Sequence, residues 1–310
     1  MMVDLKGQDI LDGAQFDREQ LEGIMQLAED FRAQVRAKKP LDLMRGLVLA
    51  SLFFEPSTRT RLSFETAMHR LGGSVVGFAG TEGTSVAKGE TLIDTIRTVD
   101  QYADIIVMRH PQIGSARQAA AVAQAPVING GDGAGQHPTP ALLDLFTIRS
   151  ECGGLDGRTI VLCGDLKNGR TVHAGVEIYK HYACRLICVA PEPLKMPAEI
   201  TQRLRQLGVK IEETTSLEEA LPQADVLYMT RIQRERFTDP AEYDRLKDSY
   251  ILTRAMLERL NARLTVLHPL PRVNEIATDV DELPTAAYFR QAQNGVYVRM
   301  ALLALVAGRV

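Results

Sequence analysis

Short, almost continuously apolar runs alternate along this chain with stretches of helical periodicity, and that alternation limits the fold more than any other feature. Residues 46–54 (GLVLASLFF), 104–108 (DIIVM), Thr159–Cys163 (TIVLC), 185–190, 225–229 and 264–267 are too short for core helices and suit strands buried on both faces. Further strands are expected at Ser74–Ala79, 126–129 and 209–212. Helical patterns lie between them. Asp17 and Gln20 form a capping box ahead of Leu21, Ile24, Ala28, Phe31 and Val35, which recur at spacings of three and four. Residues 57–70 carry Leu62, Phe64 and Met68, with Leu71 beyond, and stop at Gly72-Gly73. Helices are likewise expected at 90–103, 116–123, 170–183, 198–207 and Leu217–Ala220. Strand–helix–strand repetition of this kind builds a mostly parallel sheet with helices on both faces.

Two such series are present, separated by a glycine-rich stretch at residues 130–135 (GGDGAG). Thr139 and Pro140 then read as the N-cap and first residue of a connecting helix with Leu142, Leu143, Phe146 and Ile148 at its core. The expected architecture is α/β: two doubly wound domains with mostly parallel sheets, residues 1–149 and 150–285, joined by two interdomain helices, with the C-terminal helix (286–310) packing back on the first domain. A length of 310 residues accommodates two cores. A formal net charge of −3 argues against a general nucleic-acid surface. No apolar run approaches the roughly 20 residues that span a bilayer, and the polar N-terminus lacks a signal-peptide core. The expectation is therefore a cytoplasmic protein with neither nucleic acid nor membrane as partner. Cys152, Cys163, Cys184 and Cys188 show no C-x-x-C spacing and read as buried free thiols rather than metal ligands.

In an open α/β sheet, ligands bind off the carboxyl ends of the strands. The residues that follow the strands here are unusually cationic. The first half offers Ser57-Thr58-Arg59-Thr60-Arg61, then Ser85 and Lys88, then Arg109-His110, then His137. The second half offers Lys167, Arg170, Arg231, Gln233 and His268-Pro269-Leu270-Pro271-Arg272. Residues 57–61 sit at a strand-to-helix turn, where free N–H groups and the helix dipole favour an anion. Converging like charges repel unless an anionic ligand lies among them, so a substrate with several negative charges is expected. Two glycine motifs resemble nucleotide loops. Residues 164–171 (GDLKNGRT) match P-loop spacing, but Arg170 stands in place of the lysine, and its planar fork suits a carboxylate. The stretch 131–136 (GDGAGQ) lacks the last glycine of a dinucleotide fingerprint. Neither is read as a nucleotide site.

The segments FFEPSTRTRLSFE, TSVAKGETLIDT, VMRHP, HPTPALLDLFTI, GDLKNGRTVH, YMTRIQRER and HPLPRVNEIATDVD, in this order, resemble the aspartate/ornithine carbamoyltransferase family, on its aspartate branch. The resemblance covers essentially the whole chain. It implies a transferase of pyrimidine biosynthesis that moves the carbamoyl group of carbamoyl phosphate to the amine of L-aspartate, with no cofactor and no metal. It implies that the first domain binds carbamoyl phosphate and the second L-aspartate, and that the domains close over them. By the same resemblance Ser57, Thr58, Arg59 and Thr60 hold the phosphate, and Thr60, Arg109 and His137 contact the carbonyl oxygen. Arg170 and Arg231 pair with the carboxylates of aspartate, Gln233 stands beside them, and the carbonyls of Pro269 and Leu270 orient the nitrogen groups. Ser85 and Lys88 reach into the active site of a neighbouring subunit, which implies a homotrimer with shared sites; Thr84 is the alternative to Ser85. Glu55 bridges to Arg170 and Arg236 in the closed form. A regulatory chain or another enzyme of the pathway stays open as a partner. The chain departs from the family where Pro140 replaces a glutamine that accepts from the carbamoyl NH2, and where Asn274 replaces a common aspartate.

Overall fold

The computed structural model describes residues 3–260 and 264–310. Its residues group into two compact units: Met1–Phe146 with Gln293–Val310, and Thr147–Ala292.

The first unit opens with α1 (Arg18–Arg36), whose Asp17 accepts from the Gln20 amide while Gln20 reaches back, a reciprocal capping box. Leu21, Ile24, Ala28 and Phe31 bury one face of this helix. There follow β1 (Val48–Phe53), α2 (Thr58–Arg70), β2 (Ser74–Ala79), α3 (Leu92–Val99), β3 (Ile105–His110), α4 (Ser115–Ala120), β4 (Val127–Asp132) and α5 (Pro138–Cys152). The four strands pair in parallel in the order β2-β1-β3-β4. Both faces of the two central strands are buried. Ala50, Leu52, Ile106 and Met108 pack with Ile96, Ala116 and Ala119 on one side, and their alternates Leu49, Phe53, Ile105 and Val107 are equally inaccessible.

The second unit runs β5 (Thr159–Cys163), α6 (Arg170–Tyr179), β6 (Arg185–Val189), α7 (Ala198–Gln206), β7 (Lys210–Thr214), α8 (Leu217–Ala220), β8 (Val226–Met229), α9 (Pro240–Leu246), α10 (Arg254–Glu258) and β9 (Thr265–Leu267), and α11 (Tyr288–Val306) follows. The sheet is again parallel, in the order β7-β6-β5-β8-β9. Val161, Cys163, Ile187, Val189, Leu227, Met229 and Val266 fill its core. The chain passes from one unit to the other within α5 and again within α11, whose first residues group with the second unit.

Several expectations are corrected here. The connecting helix begins at Pro138, so Thr139 lies inside its first turn instead of capping it, and Pro140 is its third residue. Pro140 costs no hydrogen bond there, because the first four N–H groups of a helix have no intrahelical acceptor. Leu62 is 53% exposed, while Phe64, Met68 and Leu71 are buried. Arg109 and His110 belong to β3 rather than to the loop after it, and β4 runs on to Asp132 with a register shift opposite residues 108–110. The helices α9 and α10 carry too little apolar periodicity to be read from sequence. All four cysteines are free thiols, with Cys152 half-buried and the others buried. Among the described residues no helix is long and apolar enough to cross a membrane.

Each sheet reverses its order of winding once. In the first unit β1 has β2 on one side and β3 on the other; in the second, β5 has β6 on one side and β8 on the other. Diverging connections leave a crevice at the carboxyl ends of these central strands. In the second unit the crevice depends on Gly164, at φ +121, where an added Cβ would come 2.2 Å from the Thr230 carbonyl oxygen. Gly164→Ala should therefore destabilise by about 2–4 kcal/mol, from overpacking plus backbone strain. Denaturant unfolding would check this, with the midpoint falling and the slope unchanged.

Candidate active site

The first switch point is formed by the ends of β1 and β3, which lie in register with Phe53 beside Arg109. Beyond β1, residues 57–61 turn into α2. Ser57 stands at the N-cap position, yet its side chain makes no capping hydrogen bond, whereas Asp17, Thr91, Ser216, Asp239 and Thr253 cap their helices. The start of α2 is thus not closed by its own N-cap side chain, and it lies at the positive end of the helix dipole, which favours an anion. Thr58 and Arg59 are exposed, Ser57 is half-buried and Thr60 is buried. Arg61 is committed elsewhere: its Nε donates at 2.8 Å to Glu65, which also accepts from the Ser51 hydroxyl at 3.0 Å.

Arg109 is mostly buried, and its guanidinium pairs with Glu55 at 2.6 Å. A second donor, Nη1, reaches the Gly130 carbonyl at 3.3 Å. The register shift against β4 brings Gly131, at φ +117, beneath this guanidinium, where an added Cβ would lie 2.7 Å from Nη1 and 3.6 Å from the His137 ring. Arg109 and the buried His137 thus flank one point above Gly131. A bulge that re-aims a side chain next to a site is a recurrent use of this irregularity. His110 plays a different part. Its Nδ1 accepts from the Gln112 amide at 3.1 Å, its ring packs edge-on against Phe54, and burial pushes its pKa down despite the charge of Glu55. It is a neutral structural residue.

Both glycine loops are closed on themselves. In the first unit the amides of Gly131, Gly133, Gly135 and Gln136 donate to Asn129 Oδ1, the His110 carbonyl, the Asp132 carbonyl and Asp132 Oδ1. In the second, the amides of Leu166, Lys167, Asn168 and Arg170 donate to Leu194, Asp165 and Asn168. Amides spent in this way cannot cradle a phosphate. The loop at Ser85–Lys88 is a 3₁₀ turn. Thr84 donates its hydroxyl to the Thr81 carbonyl at 2.7 Å, while Ser85 and Lys88 are exposed.

The second switch point carries Lys167 and Arg170 after β5, and Arg231 and Gln233 after β8. Arg170 opens α6 and is half-buried; Lys167 is exposed. Arg231 forms a two-pronged pair with Glu235, one contact being 3.2 Å. Burial pushes the Glu235 carboxyl up, but its hydrogen bonds and the charges of Arg231 and Arg236 outweigh this and hold it below the usual carboxylate range. Gln233 donates to the Asn168 carbonyl at 3.4 Å, linking the two loops. Arg236 is exposed, and Glu55, expected to bridge to it and to Arg170, is engaged by Arg109 inside its own unit.

The segment after β9 is held through His268 by Glu275 and Gln291, which the sequence did not single out. Leu270 has φ +54, an uncommon conformation for a branched residue, and the bond to Pro271 is cis. Its amide donates to His268 Nδ1 at 2.8 Å, so the proton of the neutral ring sits on Nε2, which donates to Glu275 at 2.7 Å. The other carboxylate oxygen accepts from the Val273 and Asn274 amides at 3.1 Å, and Gln291 accepts from the His268 amide at 2.9 Å. His268 and Glu275 are buried, so this network fixes the direction of the Pro269 and Leu270 carbonyls. Arg272 pairs with Asp281 and stacks over Tyr288.

A pair of doubly wound units, each presenting hydroxyl, guanidinium or ammonium groups at its own switch point, defines an α/β protein for small, multiply anionic ligands. Family models agree. The carbamoyl-P binding domain of aspartate/ornithine carbamoyltransferase matches residues 8–150, and the Asp/Orn binding domain matches residues 156–306. The chain belongs to the aspartate/ornithine carbamoyltransferase family. It is 55% identical over 306 residues to the aspartate carbamoyltransferase catalytic subunit of Thermococcus gammatolerans, covering 99% of both chains. Among solved structures, the catalytic subunit of M. jannaschii aspartate transcarbamoylase superposes with a TM-score of 0.92 at 46% identity, over 97% of this chain and 98% of that one. The Trypanosoma cruzi enzyme in complex with carbamoyl phosphate and aspartate gives a TM-score of 0.92 at 44% identity, over 97% of each chain.

Burial raises the Glu275 carboxyl, but the hydrogen bond from His268 and those from the backbone amides outweigh it, leaving the pKa depressed in the fold. A depressed folded value gives stability that is present above the unfolded value and lost as pH falls through the folded one. Glu275→Gln should lower the melting temperature at pH 7, and its gap from the wild type should close as pH drops below the ordinary glutamate value of 4.5, which thermal melts across pH would measure.

Proposed function

We infer that this chain transfers the carbamoyl group of carbamoyl phosphate to the amine of L-aspartate, giving N-carbamoyl-L-aspartate and phosphate in de novo pyrimidine biosynthesis. The observation that carries this reading is the pairing of the two switch points: an uncapped helix start with Arg59 and Arg109 in one unit, and two arginine forks in the other. The first suits a phosphate and a polarised carbonyl, the second a dicarboxylate.

In this reading the first unit is the carbamoyl phosphate domain, and Ser57, Thr58, Arg59 and Thr60 hold the phosphate. Thr60, Arg109 and His137 donate to the carbonyl oxygen as it becomes negative. Each such donor is worth on the order of 10²–10³ in rate. Arg170 and Arg231 take the carboxylates of aspartate beside Gln233, and the carbonyls of Pro269 and Leu270 accept from the nitrogen groups. The aspartate nitrogen attacks the carbamoyl carbon, the bond from that carbon to the phosphate oxygen breaks, and the departing phosphate accepts the amine proton. Holding both reactants in line supplies much of the acceleration. An ornithine acceptor fits less well, because Arg231 would repel its cationic side chain.

The reading includes a cytoplasmic homotrimer in which Ser85 and Lys88 complete a neighbour's site. Ser85 is preferred to Thr84, whose hydroxyl is spent inside its own loop. Support comes from the exposure of Ser85, Ala87 and Lys88 and from the apolar Leu62 and Val76, which stand exposed on α2 and on the edge strand β2.

Carbamoyl transfer by the purified chain alone, with aspartate against ornithine as acceptor, tests the function; turnover with ornithine only would overturn it. Hybrids of a Lys88→Ala chain and an Arg59→Ala chain, each inactive, should regain activity on mixing, and a complete lack of recovery would sink the shared site. Pro140→Gln should restore the missing acceptor and tighten carbamoyl phosphate binding by about 0.5–1.5 kcal/mol at similar turnover. Calorimetric titration of the two proteins would show it.

A further inference from the structure

Arg299, on the last helix, is the most deeply buried guanidinium of the first unit, 4% exposed. Its Nη1 donates to the Ser63 hydroxyl at 2.9 Å, and its Nη2 donates to the Thr139 hydroxyl at 3.1 Å. The carbon at its centre lies 4.9 Å from the middle of the Phe64 ring. Room for this fork is made by Gly295, one turn earlier on α11, where an added Cβ would come 2.5 Å from Nη1. Burial pushes the Arg299 pKa down to about 10, against the opposing charge of Asp144, so the group is still cationic at neutral pH.

The two hydroxyls that Arg299 grips are not arbitrary. Ser63 and Phe64 stand one turn beyond Thr60 on α2, on the same side of the helix. Thr139 stands two residues beyond His137, at the head of α5. A single planar fork therefore ties the helix that carries Thr60 to the helix start that carries His137, across 160 residues of chain in one case and 236 in the other. We propose that Arg299 is a positioning residue for carbamoyl transfer, fixing the spacing of Thr60 and His137 through Ser63 and Thr139.

This inference rests on the roles given above to Thr60 and His137. It makes a demand that fold stability alone does not. Both donors act on charge that develops in the transition state, so loosening their spacing should lower kcat while the phosphate-holding groups keep the KM for carbamoyl phosphate near its normal value. A lysine cannot replace the fork, because it offers a point charge on a flexible stem.

The test uses the full-length chain with Arg299→Met, Arg299→Lys, Thr139→Val, Thr139→Ser and His137→Ala, each measured well below its melting temperature. Arg299→Met, Arg299→Lys and Thr139→Val should lose on the order of 10–10²-fold in kcat, as a misplacement of about 1 Å does. Their KM for carbamoyl phosphate should move far less. Thr139→Ser, which keeps the hydroxyl, should recover most of the rate. On a His137→Ala background, Thr139→Val should cost much less than it does alone. If Thr139→Val and Thr139→Ser behave alike, or if kcat falls only with the fraction of folded protein, Arg299 is merely structural and the proposal fails. If His137→Ala is itself without effect, the assigned role of His137 falls first, and this proposal with it.

Discussion

The ion pair between Arg109 and Glu55 is the contact on which the first switch point depends. An arginine at the end of a strand buried on both faces faces a large desolvation cost unless a carboxylate or a ligand compensates it. Glu55 compensates it at 2.6 Å, from the chain segment that leaves the neighbouring strand. The second unit repeats the device, with Glu235 holding Arg231. A guanidinium paired in this way is ordered before any ligand arrives. In the proposed reading, a ligand oxygen then meets a guanidinium already held in place instead of ordering a free side chain, which reduces the entropy lost on binding.

The strands were legible because parallel sheets covered on both faces demand near-continuous apolar runs, and this chain has them. Their ends were less so. Residues 109 and 110 are polar, and nothing local says that β3 continues through them; the register shift against β4 does. Leu62 illustrates an error of a different kind. It lies only two positions from Phe64, about 200° around a helix, and so cannot share the face of Phe64, Met68 and Leu71. Counting apolar residues hid what their angles already excluded. Thr139 was read as a cap because its side chain suits one, but that hydroxyl is taken by Arg299 from the far end of the chain.

The site divides in the same way. Cations and hydroxyls that follow apolar runs were visible, because a parallel sheet sends all its carboxyl ends to one edge. Their supports were invisible. Glu275, Gln291, Asn129 and Asp132 act by hydrogen bonds to backbone brought close only by the fold, and no spacing rule marks them. The glycine loops show the reverse failure: both motifs resemble phosphate cradles in composition, yet their amides are consumed by side chains and carbonyls of their own units.

The two departures from the family pattern are ones that the local structure absorbs. Pro140 occupies a helix position whose N–H would have no intrahelical acceptor, so the backbone loses nothing by it. Asn274 donates its side-chain amide to Asp248. An aspartate at that position would set two carboxylates against each other, whereas asparagine turns a repulsion into a hydrogen bond, and its own backbone amide still supports Glu275. Neither change costs the fold a contact. In the proposed reading, the effect of Pro140 therefore falls on carbamoyl phosphate, as an acceptor withdrawn from its NH2 group. That of Asn274 belongs to the segment beyond β9, where the partner of Asp248 helps to seat the residues that orient Pro269 and Leu270.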